Sequence, residues 1–101
     1  MTAYVVVDLD ITDPEGFQEY ARQVVPMIVG AGGRPVAADS DVLVLEGGWT
    51  PPRVVIYEFP DREAAQRFWD SPEYQPLKEL RRKYSTAKVV VAESPSPQPP
   101  N

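Results

Sequence analysis

The sequence predicts an α+β domain in which a four-stranded antiparallel sheet carries two helices on one of its faces. Three observations point there. Apolar residues alternate between period two and helical spacing, in the order strand, helix, strand or short hairpin, strand, helix, strand. Asp13-Pro14-Glu15-Gly16-Phe17-Gln18-Glu19-Tyr20 matches Asp61-Arg62-Glu63-Ala64-Ala65-Gln66-Arg67-Phe68 at the capping Asp, the Glu, the Gln and the aromatic, and each copy follows a Val/Ile-rich strand. Two βαβ halves in one chain of 101 residues make a split βαβ sandwich, the ferredoxin-like topology.

Tyr4 to Ile11 is rich in β-branched residues and reads as the first strand. Its faces differ: Val5, Val7, Leu9 and Ile11 are all apolar, whereas Tyr4, Val6, Asp8 and Asp10 are mixed. Asp13 as N-cap, Pro14 at the first helical position and Glu15 at the positive helix end start a helix. Its apolar stripe runs through Phe17, Ala21, Val24 and Ile28, with Tyr20 and Val25 beside it. Pro26 is expected to kink or restart that helix near Val25, and Gly30, Gly32 and Gly33 end it. Val36 to Ala38 and Val42 to Glu46 read as two short strands joined through Asp39-Ser40-Asp41, followed by the loop from Gly47 to Pro52. Arg53 to Phe59 is the second long strand, and Pro60-Asp61-Arg62-Glu63 opens a helix carrying Ala65, Phe68 and Trp69. Ser71-Pro72-Glu73 reads as another helix start, with Ser71 as its N-cap and Leu77, Leu80 and Tyr84 as its apolar stripe. Ala87 to Glu93 is the last strand. Residues 1–93 thus form one domain, and 94–101, with four prolines in eight residues, form a tail expected to be disordered.

Composition narrows the chemistry. The chain has no cysteine, which removes disulfides and thiolate chemistry, and no histidine, which removes catalytic triads and nearly all zinc, haem and non-haem iron sites. No cofactor or metal is expected. A net charge of −5 argues against general nucleic-acid binding. Lys78, Arg81, Arg82, Lys83 and Lys88 cluster, consistent with cations at a helix C-terminus. No apolar run approaches the roughly 18 residues that cross a bilayer. Met1-Thr2-Ala3-Tyr4 enters a strand pattern at once, so a cytoplasmic location is the expectation.

The predicted topology leaves one sheet face uncovered, with Tyr4, Val6, Asp8, Val54, Ile56, Glu58, Val90 and Ala92 upon it. So many apolar side chains on one face predict a homodimer formed through the open sheet, with two-fold symmetry.

The stretch Leu45-Glu46-Gly47-Gly48-Trp49-Thr50-Pro51-Pro52-Arg53-Val54-Val55-Ile56-Tyr57-Glu58-Phe59-Pro60 is followed by Ala64-Ala65, Phe68-Trp69 and Ser71-Pro72-Glu73-Tyr74. Together with the opening Asp-Pro-Glu, the Gly32-Gly33-Arg34 turn and Arg81, it resembles the bacterial family catalogued as domain of unknown function 1330, in the dimeric α+β barrel superfamily. The sequence departs from that pattern at Asp70, where a tyrosine often follows the tryptophan, and at Pro76 inside the second helical stretch. The resemblance implies a ferredoxin-like protomer, a sheet-to-sheet dimer and a pocket between helices and sheet. Relatives across the superfamily include cofactor-free monooxygenases, lactone isomerases, haem-degrading enzymes and ring-closing enzymes of natural-product pathways. The haem branch is disfavoured, because the chain has no histidine to hold iron.

Seven residues are candidates for a site. Glu58 and Asp8 are acids on long strands, and alternation can put them on one face. In low dielectric such a pair divides into an acid and a base, with Glu58 the expected general base; the alternative is a pair of acids at the dimer interface. Arg53 can hold a carboxylate bidentately, or pair with Glu58 or Glu46. Arg81 can hold a substrate anion or belong to the helix-end cluster. Trp49, Trp69 and Tyr74 can line a pocket or complete the core. These residues suit a dimer that binds a small, hydrophobic and partly anionic organic molecule, with cofactor-independent isomerisation, cyclisation or oxygenation as the leading activity. The alternative is a non-catalytic binding or assembly module.

Overall fold

The computed structural model describes residues 1–95. Its elements are β1 (Ala3–Ile11), α1 (Pro14–Gly30), β2 (Arg34–Asp39), β3 (Val54–Phe59), α2 (Arg62–Asp70), α3 (Gln75–Tyr84) and β4 (Ser85–Glu93). The four strands form one antiparallel sheet in the order β2-β3-β1-β4, the ferredoxin-like arrangement, with the three helices over one face. The register of β1 with both its neighbours is continuous: Val5 lies opposite Tyr57 on one side and Val91 on the other, and Val6 lies between Ile56 and Val90. Alternation then sends Val5, Val7, Leu9, Val55 and Phe59 under the helices, where they meet Tyr20, Val24, Ile28, Ala65, Phe68 and Leu77.

Local chemistry sets the helix ends. Asp13 Oδ1 accepts from the Gly16 N–H at 3.2 Å, and Asp61 Oδ1 accepts from the Ala64 N–H at 2.7 Å. Glu93, at the end of β4, accepts from the Arg62 N–H and so gives α2 a second anionic cap. Helix α1 closes in a Schellman motif: Gly32 has φ +90°, its N–H donates to Val29 O, and the Gly33 N–H donates to Ile28 O. A Cβ on Gly33 would sit 2.9 Å from Ile28 Cγ2, 2.9 Å from Phe59 Cε1 and 3.0 Å from the Glu58 carbonyl oxygen. Gly33→Ala should therefore cost about 1–3 kcal/mol by overpacking, read as a lower urea midpoint.

Three expectations change. Val42 to Glu46 forms no strand; it belongs to an exposed loop between β2 and β3, so the hairpin is absent. Its side chains look strand-like, yet no neighbouring strand offers it a ladder. Pro26 does not break α1, which runs unbroken to Gly30; the proline lies on the exposed side, where water can serve the freed carbonyl. Ser71 caps the turn before α3 rather than α3 itself, accepting from the Tyr74 N–H and donating to Phe68 O. Pro76 falls in the first turn of α3, where no N–H is required.

Ser94, assigned by composition to the tail, extends the sheet: its N–H donates to Thr2 O at 2.7 Å and its Oγ accepts from the Thr2 N–H at 3.0 Å. The remainder of the expected disordered tail, 96–101, lies outside the described residues. Among the described residues, no helix is long and apolar enough to cross a membrane.

Candidate functional site

A cavity of about 420 Å³ separates the helix layer from the sheet. Its floor is Val5, Val7 and Leu9 of β1 with Val55, Tyr57 and Phe59 of β3, the apolar face that strand alternation turns towards the helices. Phe17, Tyr20, Val24 and Ile28 of α1 form one wall, and Phe68 and Trp69 of α2, Tyr74 from the turn before α3 and Arg81 of α3 form the other. The lining residues Ala21 and Val25 on α1, and Pro35, Ala37 and Ala38 on β2, are exposed, so the cavity opens between α1 and that edge strand. A β-bulge between Pro35 and Ala37 shifts the β2 register there.

Against this apolar surface stand few polar groups: the guanidinium groups of Arg53 and Arg81, the phenols of Tyr20, Tyr57 and Tyr74, the Trp69 indole and the Gln66 amide. No Asp, Glu, His or Cys is among the lining residues. Arg81 is only 6% exposed, and among the described residues its Nε has no hydrogen-bond partner and no carboxylate lies within ion-pair distance. Its Cζ lies 5.8 Å from the Trp69 ring centroid, and Lys78 Nζ lies 4.6 Å from the same ring. Two largely buried cations thus share one indole with no counter-anion. Arg53, which the strand start holds beside the cavity, donates to Ser40 Oγ.

The Tyr20 and Tyr74 hydroxyls share a buried hydrogen bond of 3.0 Å. Burial, with the nearby Tyr74 next in weight, pushes the Tyr20 phenol well above its ordinary value of 10.0, the Arg81 charge opposing. Burial likewise raises Tyr57, with Arg53 opposing. For both, the folded state prefers the protonated form. Their contribution to stability is complete below pH 10.0, where an unfolded tyrosine ionises, and diminishes as pH rises above it. Stability measured by urea denaturation should fall above that pH, and Tyr20→Phe should flatten the fall.

The seven predicted residues divide between two places. Arg53, Trp69, Tyr74 and Arg81 line the cavity. Glu58, Asp8 and Trp49 do not, and this corrects the expected assembly of base and anchor in one pocket. Tyr57 and Phe59 point into the cavity, so alternation turns Glu58 to the open face, where it pairs with Arg34, its cross-strand neighbour. Asp8 is on the same face, but Glu58 lies opposite Tyr4 and Asp8 lies opposite Val54, four positions along the ladder. The two carboxylates therefore form no acid–base pair. Asp8 instead accepts from Trp49 Nε1 at 2.9 Å, which ties the long loop to the open sheet. The structure also adds Tyr20 and Tyr57, absent from the candidate residues. The signal was present: a tyrosine inside an aliphatic helix stripe, as at Tyr20, needs a buried partner for its hydroxyl.

Sheet order, helix layer and interlayer cavity together define a ferredoxin-like α+β protein. The chain belongs to the family described as domain of unknown function (DUF1330), whose sequence model matches residues 2–95. No curated protein matches it. Among solved structures it is similar to a protein of unknown function from Rhodopseudomonas palustris, with a TM-score of 0.75 and 17% identity over 95% of this chain and 84% of that one. It is also similar to SnoaB, a cofactor-independent oxygenase from Streptomyces nogalater, with a TM-score of 0.63 and 16% identity over 98% and 97% of the two chains. A third is an uncharacterized NIPSNAP domain protein from Burkholderia xenovorans, with a TM-score of 0.59 and 17% identity over the whole of both chains. At these identities the likeness is one of fold.

Proposed function

We propose that the protein is a homodimer that binds a hydrophobic organic molecule in the helix–sheet cavity of each protomer and acts on it without a cofactor. The observation that carries this reading is Arg81, a buried cation that lines an otherwise apolar cavity and, among the described residues, has no carboxylate within ion-pair distance. Keeping a buried charge without a counter-charge is costly unless something brings one. A ligand with an acidic group supplies it. In this reading Arg81 anchors that group, Arg53 assists from the strand end, and Trp69 and Tyr74 hold the flat body between aromatic walls.

Isomerisation or cyclisation, with tyrosine hydroxyls as proton donors, demands least of these groups. Oxygenation is compatible where the substrate itself supplies the electrons to dioxygen. The likeness to SnoaB, described as a cofactor-independent oxygenase, lends support to cofactor-free chemistry. Dimerisation through the open sheet is supported by the apolar row that Ile56, Val6 and Val90 form across it.

Calorimetric titration with 4-nitro-1-naphthol, a two-ring aromatic acid, tests the reading. One site per protomer is expected, with affinity reduced on the order of tenfold or more by Val25→Trp, which crowds the cavity mouth. No binding by the wild-type protein, or binding indifferent to Val25→Trp, would remove the cavity from this role.

A further inference from the structure

We infer that the cavity selects its ligand already ionised: its substrates are organic acids, carboxylates or acidic phenols and enols on an apolar aromatic body, bound as the conjugate base. This inference rests on the small-molecule reading of the same cavity. It follows from a count of what the cavity can give and receive. Arg53 and Arg81 are donors only, and the Trp69 indole is a donor only. Tyr20 and Tyr74 share one hydrogen bond, so whichever donates, the other keeps a free O–H. Burial holds the Tyr20 and Tyr57 phenols in their protonated state, which removes both as bases.

Against these donors no carboxylate, imidazole or thiolate faces the cavity, and the one amide present, Gln66, belongs to an exposed residue. A neutral carboxylic acid or phenol could place its own O–H only on a phenol or amide oxygen, and it would leave the Arg53 and Arg81 charges with no counter-anion among the lining residues. The conjugate base brings only acceptors, and its charge meets the buried Arg81 guanidinium, whose Nε is without a partner. An organic cation finds no anion among the lining residues and faces two guanidinium groups. The ligand's proton therefore leaves before or during entry and passes to water, because the cavity has no base to take it. Whatever chemistry follows begins from an anion, with tyrosine hydroxyls available to return a proton.

The visible absorption of 4-nitro-1-naphthol reports its ionisation. Titrated with the full-length protein in excess, the bound dye should ionise about one to three pH units below the free dye. Arg81→Met should abolish that displacement, whereas Arg81→Lys should retain part of it. Arg82→Met removes the same charge one residue away, at an exposed position paired with Glu79, and should leave the displacement intact. A bound dye that ionises at or above the free value, or an undiminished displacement in folded Arg81→Met, overturns the inference while leaving a small-molecule site in place. Failure of the dye to bind overturns both.

Discussion

The proposed homodimer is expected to fall apart into folded monomers when aspartate replaces Ile56. Ile56 sits at the middle of the open sheet face, in a row that crosses three strands: Ile56, Val6 and Val90 are successive cross-strand partners. Val90 is 62% exposed in the protomer, so a substantial apolar side chain stands in water unless a second copy covers it. Under two-fold symmetry each substitution acts twice. Removing one buried isoleucine forfeits about 1.5–3 kcal/mol, and an unpaired carboxylate in a dry interface adds several more. A weakening of dimerisation by a factor on the order of a thousand or more follows. Light scattering at micromolar concentration should give twice the 11.3 kDa protomer mass for the natural protein and the single mass for the variant. An unchanged dimer in the variant, or a monomeric natural protein, rules out association through this face.

Phe59→Ala should destabilise the protomer strongly. Phe59 is 1% exposed, and its ring centroid lies 5.5 Å from that of Phe68, joining the last turn of β3 to α2. It also forms part of the cavity floor, so truncation enlarges a space that neighbouring side chains already fail to fill. Such deletions cost about 3–5 kcal/mol, against a total of about 5–15 kcal/mol for a domain. Urea denaturation followed by circular dichroism measures this directly. A loss below about 1 kcal/mol would show that the interior closes around the gap.

The elements that were legible beforehand are those whose signal is local. The two-sided character of Tyr4 to Ile11 announces a strand with one buried face, and Asp13 and Asp61 announce helix starts, because caps are satisfied within four residues. Val42 to Glu46 misleads for the opposite reason: strand formation requires a partner, and partner availability is a property of the whole sheet. The site divides in the same way. Trp69, Tyr74 and Arg81 converge because they follow one another from α2 through the turn into α3, onto one wall. Glu58 fails as a cavity base through simple parity, since Tyr57 and Phe59 face inward and the residue between them cannot. Parity was readable in β1 and β3 separately. That the cavity lies between helices and sheet came from the family resemblance and not from the strand pattern.

The reciprocal hydrogen bonds between Thr2 and Ser94 make the domain almost a closed ring. Its first and last strands, β1 and β4, are paired along their whole length, and the seam between them is already stitched at the backbone. Where the chain is covalently cut is therefore incidental to the architecture. Joining the two ends with a short Gly/Ser link and opening the exposed β2–β3 loop would reorder the sequence while leaving every ladder of the sheet in place.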